Sequence, residues 1–242
     1  MIGEDLVTRP KSSIDKIDHA ASNLALGASF LNLGIPKQAV KYFDLGISSS
    51  NSKDDTTTKL FYHRALAFDQ LDLADNALVD IEKAHKLALE NGTDEFESDI
   101  LSTWGNIESR SGSYDVAVRR LNEAITKTRE RNDFDGERVA LGNLANVYAE
   151  AGRLLEAIEI QERLKQQFEQ DGDRSSLTVC LTNLGMAHTQ NGNPNAAKEV
   201  LANALDLATE IGDPLSKARA LRWIVEACRS LGDNDAAQEY AG

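Results

Sequence analysis

The chain has 242 residues, of which 41% are apolar and 6% aromatic, with only 16 Gly, 4 Pro and 2 Cys. Two cysteines exclude a disulfide scaffold, so little Gly and Pro excludes a collagen-like or low-complexity chain, and the apolar share is enough for a core. Lys and Arg number 26 against 39 Asp and Glu, a net charge of −13, which repels phosphate backbones and makes nucleic acid and anionic membrane poor partners.

The chain opens on an N-terminal extension, 1–14, whose first six residues carry Glu4 and Asp5 and no apolar stretch, unlike a signal peptide. No apolar run reaches the roughly 18 residues of a membrane span. With free thiols and an acidic balance, the cytoplasm is the expected compartment. β-branched runs are short, and no strand is predicted. Apolar spacing instead predicts twelve helices, at about 15–33, 36–49, 57–71, 74–90, 96–111, 114–131, 136–151, 154–170, 174–191, 194–211, 214–231 and 234–240. In the seventh, Ala140, Leu144, Val147 and Tyr148 recur at i, i+4, i+7 and i+8. The polar run Ser48–Thr57 is the longest connection.

The helix ends repeat. Gly34, Asp72, Gly112, Gly152, Gly192 and Gly232 form one series of stops, and Gly92, Asn132, Gly172 and Gly212 a second. Gly, and next to it Asn, tolerates the left-handed backbone of a helix C-terminus. Five residues after each stop of the first series stands an alanine: Ala39, Ala77, Ala117, Ala157, Ala197 and Ala237. Asp133, Asp173 and Asp233, and the pairs Asn193-Pro194 and Asp213-Pro214, are placed to cap the next helix. The period is 40, and 242 divided by 40 is 6.05. The expected organisation is one array of six helix pairs over 15–242, with repeats at about 15–53, 54–93, 94–133, 134–173, 174–213 and 214–242.

Asn143-Leu-Ala…Tyr148…Gly152…Ala157, Asn183-Leu-Gly185…Gly192…Ala197…Ala204 and Leu26-Gly27…Gly34…Ala39…Phe43 resemble the tetratricopeptide repeat. The period exceeds that family's usual one and is similar to the long arrays of Leu-Gly-Asn-rich G-protein regulators and kinesin light chains. Repeat two departs from the pattern, with Arg64-Ala65 for Leu-Gly and Asp72 for Gly. The resemblance implies an all-α, right-handed α-solenoid. Gly27, Ala65, Gly105, Ala145 and Gly185 are expected to face the alanine column, with Leu26, Trp104, Leu144, Leu184 and Ile224 filling the space beside them.

In that family the first helices line a concave groove. Carried over, the groove residues are Tyr62 and His63; Asn106 and Arg110; Asn143 and Asn146; Asn183 and Met186; and Arg219, Arg222 and Trp223. An asparagine ladder offers both donors and acceptors to the main chain of an extended peptide, or serves contacts between repeats alone. Arg110, Arg219 and Arg222 suggest acidic or carboxylate groups on the partner, although Arg219 and Arg222 are also spaced to pair with Glu226. The carboxylate clamp of co-chaperones is not matched, since Ser102, Val179 and Asn183 stand where its basic residues belong.

No chemistry beyond binding is indicated. His19, His63, His85 and His188 are scattered, so no metal or other cofactor is expected. Cys180 and Cys228 are offset by roughly 12 Å along neighbouring helices, too far to bridge. Asp171-Gly-Asp173 lacks the spacing of a calcium loop, and Glu95, Glu97 and Asp99 read as a solvated run. The expected function is a non-catalytic adaptor for a protein or peptide. A regulatory sensor module and a structural oligomerisation array are the alternatives. The short last helix is expected to leave Leu221, Ile224 and Val225 partly uncovered, either as a fragment's edge or as a surface for self-association.

Overall fold

The computed structural model describes residues 14–50 and 54–241, and side chains from 19 onward except those of Asp94 and Glu95. The expected N-terminal extension therefore lies outside the described residues save for its last position, as does the middle of the Ser48–Thr57 connection.

Among the described residues there are twelve helices and no strand. They are α1 (Ile14–Asn32), α2 (Pro36–Ser49), α3 (Asp55–Gln70), α4 (Ala74–Asn91), α5 (Asp94–Arg110), α6 (Tyr114–Glu130), α7 (Phe134–Glu150), α8 (Leu154–Asp171), α9 (Arg174–Gln190), α10 (Pro194–Ile211), α11 (Pro214–Ser230) and α12 (Asn234–Ala241). They fall into two compact units, Met1–Gly112 and Ser113–Gly242.

Helix ends follow backbone chemistry. Asp72 (φ 57°) and Asn132 (φ 55°) take the same left-handed turn as the glycines around them in the two series. Asp133, Asp173 and Asp233 accept from the backbone N–H of Gly136, Ser176 and Ala236, and Asp213 from Leu215 and Ser216. Asn193 makes no such side-chain bond, so Pro194 alone sets the start of α10.

In the first unit, α2 packs between α1 and α3, and α4 between α3 and α5. One core gathers Phe61, Ala65, Ala77, Ile81, Ile100, Trp104 and Ile107; another gathers Ala20, Leu31, Ala39, Phe43 and Leu60. In the second unit α7 to α12 stack in chain order, each on the next, with α6 against α7. All six column alanines are at most 5% exposed, and each large apolar side chain buried beside them contributes about 1.5–3 kcal/mol.

The packing corrects four expectations. Gly27 and Gly185 of the first helices meet a larger side chain rather than the alanine of the column. A Cβ on Gly27 would collide with the Phe43 ring, and one on Gly185 with Leu201. The glycine makes room for the large residue one turn after the alanine. Leu26 is 47% exposed rather than filling a gap. Glu97 is buried, with His85 Nε2 3.6 Å from its carboxylate, and is no part of a solvated run. Ile224 and Val225 are also buried, in one cluster with Leu201 of α10 and Ala237 and Tyr240 of α12, while Leu221 stays partly uncovered as expected.

Repeat two replaces apolar packing with charge. Arg64 stands where other repeats place Leu144, Leu184 or Ile224. Its Nε and Nη2 donate to both oxygens of Asp80, at 2.6 and 2.8 Å, and its Nη1 to Asp44 at 2.5 Å. One guanidinium thus ties α2, α3 and α4 together.

Candidate functional site

Helix α7 carries Asn143 and Asn146 one turn apart, and α9 carries Asn183. The chain between them is α8, whose Gln161, Leu164 and Phe168 form a wall. Together they enclose a cleft of about 610 Å³. The lip is formed by Asp135 and Arg138 at the start of α7, and by the capping carboxylates Asp173 and Asp213. Val139, Val179 and Cys180 complete the apolar part.

Two features of repeat four open this cleft. Position 142 is a glycine where repeats two, three, five and six place Tyr62, Ser102, Thr182 and Arg222. A Cβ there would meet nothing nearer than Leu164 Cδ1 at 4.0 Å. Position 161 is a glutamine where the four preceding and following full repeats place Phe43, Ile81, Leu121 and Leu201. Gln161 is only 2% exposed, and its Oε1 has no hydrogen-bond partner among the described residues. The Oδ1 of Asn146 is also buried without one. An unpaired buried acceptor costs about 1–3 kcal/mol, and here one from α7 and one from α8 border the same cleft. The Gln161 carbonyl of the main chain accepts instead from Cys180 Sγ, at 3.2 Å. Burial pushes that thiol up to about 12, which keeps it protonated and unreactive.

The electrostatics of the lip are acidic. Arg138 is held by Asp135 and Asp171, with its guanidinium over the Phe168 ring. Asp173 lies below the usual carboxylate range because the Ser176 hydroxyl and N–H bind it, and Asp213 likewise because of Ser216. Both remain ionised at neutral pH.

The other groove candidates are placed elsewhere. Met186 is half-buried on α9, one turn beyond Asn183 and outside the cleft lining. Arg219 is exposed on α11, close enough for its charge to stabilise the Asp213 carboxylate. Arg222 lies over the Trp223 ring, 5.3 Å from its centroid, and Glu226 pairs with Arg229 rather than with either arginine. Arg222, Trp223, Leu221 and Tyr240 line a second hollow of about 720 Å³ against α12.

In the first unit, Arg110 donates to Asp69 at 2.5 Å, so its charge is already matched within the fold. Tyr62 accepts from Thr103 at 3.2 Å and stands edge-on to Phe96 and His63. Burial, helped by Lys59, lowers the pKa of His63 and keeps the ring neutral. Asn106 is half-buried on α5. Sequence reasoning found the three asparagines of the cleft but missed Gln161, Gly142 and Cys180. The signal was present as a break in the column four residues after each alanine.

Among the described residues no group of three His, Cys, Asp or Glu side chains is placed to hold a metal ion, and no helix is long and apolar enough to cross a membrane.

Comparison with known proteins fits this geometry. Two family models described as tetratricopeptide repeat match residues 137–210 and 182–241. A third, described as anaphase-promoting complex subunit 5, matches residues 37–151. Among curated proteins none matches the chain in sequence. Solved structures do match in fold. Aspartyl phosphate phosphatase F from Bacillus subtilis superposes with a TM-score of 0.78 at 14% identity, over 95% of this chain and 61% of that one. NprR in complex with its cognate peptide NprX gives 0.71 at 16% identity, over 97% and 67%. A Podosopora anserina kinesin-light-chain structure of nearly identical TPR-like repeats gives 0.66 at 15% identity, over 80% and 96%. Tetratricopeptide-repeat models thus match the chain over residues 137–241, and its paired helices with their buried alanine column share the helical-repeat fold of these neighbours.

Proposed function

We propose that the chain is a non-catalytic adaptor which holds an extended segment of a protein partner in the α7–α9 cleft. The carrying observation is that Asn143, Asn146 and Asn183 converge on one cleft, where Asn146 and Gln161 each keep a buried amide oxygen unpaired among the described residues. Asparagine amides pair with peptide main chain on both its donor and acceptor sides, so the ladder grips a backbone without reading its side chains. NprR, solved with a peptide bound, supports this use of the fold. Met186, one turn beyond Asn183 on α9, would extend the contact past the cleft, and Asn106, Arg110, Tyr62 and His63 are the groove candidates of the first unit. Two free, buried thiols suit a reducing compartment such as the cytoplasm.

The test is affinity capture from a lysate of the source cells with wild-type protein and with Asn143→Ala/Asn183→Ala, read by mass spectrometry. Partners bound through the ladder are recovered by the first and lost by the second. Unchanged recovery sinks the reading.

A second reading, a sensor module acting on an effector, is favoured by the likeness to NprR, described in its apo form as a quorum sensor. A ligand-dependent change in radius of gyration by X-ray scattering separates the two. The exposed Arg219 and Arg222 on α11 are where acidic groups of a partner would engage. Self-association would use the hollow around Trp223 and Tyr240, and light scattering reads it directly.

A further inference from the structure

Unpaired oxygens ask for donors, and an acidic lip asks for positive charge. Gln161 Oε1 and Asn146 Oδ1 are acceptors without partners among the described residues, the first on a side chain that is 98% buried by its 2% exposure. The lip sets three carboxylates, Asp135, Asp173 and Asp213, against one guanidinium in its lining, Arg138, with exposed Arg219 near Asp213. The Arg138 guanidinium is already claimed by Asp135 and by Asp171. Leu164, Phe168, Val139 and Val179 supply apolar wall, beside the amides of Asn143 and Asn183 and the serines Ser175 and Ser176. A group that suits all three features is planar, cationic and made only of donors. Lysine offers a strongly hydrated point charge, whereas arginine offers five N–H donors in a flat, weakly hydrated fork that lies against apolar and aromatic surface.

We propose that the α7–α9 cleft seats the guanidinium of an arginine carried by the bound segment, with Gln161 and Asn146 accepting its N–H groups and Asp173 and Asp213 supplying charge at the lip. This rests on the reading of the cleft as a peptide site and gives that reading a sequence preference which the asparagine ladder lacks. It also reverses the sign of the partner's charge expected from Arg110, Arg219 and Arg222, none of which lines this cleft. The selection originates in repeat four alone, since every other full repeat fills the position of Gln161 with a large apolar residue.

The experiment titrates the whole protein, ¹⁵N-labelled, with four capped amino acids: N-acetyl-arginine, -lysine, -citrulline and -glutamate methylamides. The side-chain NH₂ signals of Gln161 and Asn146 report the site. Arginine is expected to shift both signals and to bind at least tenfold more tightly than neutral citrulline, lysine or glutamate, with affinity falling as salt is raised. Gln161→Leu restores the apolar residue of the other repeats, and is expected to weaken arginine at least tenfold. Asp173→Asn/Asp213→Asn keeps both helix caps while removing charge, and is expected to weaken arginine severalfold without altering the far-ultraviolet circular dichroism. Equal binding of citrulline or lysine overturns the assignment, as does unchanged binding by Gln161→Leu. If a captured partner depends on Asn183 but not on Gln161 or on any arginine of its own, the peptide-site reading stands and this inference falls. If neither residue matters, both fall.

Discussion

Replacing Asp80 by valine, the residue at the equivalent position of repeat five, isolates the charge that repeat two has placed in its core. Asp80 is 4% exposed at its side chain and Arg64 19%, and the two share a two-pronged pair at 2.6 and 2.8 Å. Removing one partner of such a pair costs about 3–5 kcal/mol, because the other is left buried and unmatched. Asp80→Val falls near the lower figure, since Arg64 keeps the exposed Asp44. Arg64→Leu falls near the upper one, since it strands the more deeply buried carboxylate. The double variant Arg64→Leu/Asp80→Val copies the apolar pair Leu184 and Val200, and buried pairs replaced in this way are commonly neutral to about 4 kcal/mol more stable. The single losses sum to roughly 8 kcal/mol and the double variant loses none, so the coupling lies well above ~3 kcal/mol. The assay is urea unfolding in a Trp223→Phe background, where Trp104 fluorescence reports the core shared with Ile81. If the double variant is destabilised by the sum of the singles, or if Asp80→Val alone costs under ~1 kcal/mol, the pair is not a buried, coupled unit and the reasoning fails.

Gly185→Ala should destabilise by about 1–3 kcal/mol, because its Cβ collides with Leu201, while Gly142→Ala, facing open space, should stabilise by about 0.5–1 kcal/mol; paired melting curves of equal sign refute the packing description. Native protein should leave both thiols unlabelled by a disulfide reagent near neutral pH until urea exposes them, given the depth of Cys228 and the raised pKa of Cys180; fast stoichiometric labelling of folded protein contradicts this. Asp173→Ala should cost about 1 kcal/mol at neutral pH. The folded carboxyl is depressed below the ordinary 3.8, so its contribution is present above that value and is lost as pH falls through the folded one. The gap to wild type in urea midpoint should persist to ~pH 4 and narrow below it; a gap that closes by ~pH 5, or never narrows, removes the charged cap as its source.

The helices were legible because each is written twice, once in apolar spacing and once in its ends. α2, α10 and α11 begin where their prolines say, and the stops at Asp72 and Asn132 hold their left-handed turn without glycine. The starts of α3, α5 and α7 lie two residues earlier than the apolar pattern alone suggests. A capping residue ends the coil at Asp54 or Asp133, not at the first buried side chain. The face that Gly27 and Gly185 present was misassigned for a different reason. A period fixes which positions recur, but the ring of Phe43 against Gly27 depends on how two helices cross. Sequence also places Arg110 beside other groove cations, whereas its actual partner, Asp69, lies 41 residues away on α3.

The cleft shows why a site in such an array is hard to read from its regular positions. A repeat that touches only its neighbours can sacrifice local packing without unsettling distant repeats. Repeat four keeps what the array requires, Ala157 in the column and Gly152 at the turn, both with the geometry of their counterparts. It gives up the larger side chains that other repeats carry at two positions, one to glycine at 142 and one to glutamine at 161. Either change alone loses stability for nothing: a glycine leaves a void, and a glutamine leaves an unpaired amide. Together they make a space and place an acceptor in it, which is the minimum a ligand site needs. Asparagines recur because the fold reuses them, so they mark where a partner can lie. The departures at 142 and 161 occur once, so the proposed selectivity for one partner over another rests on them.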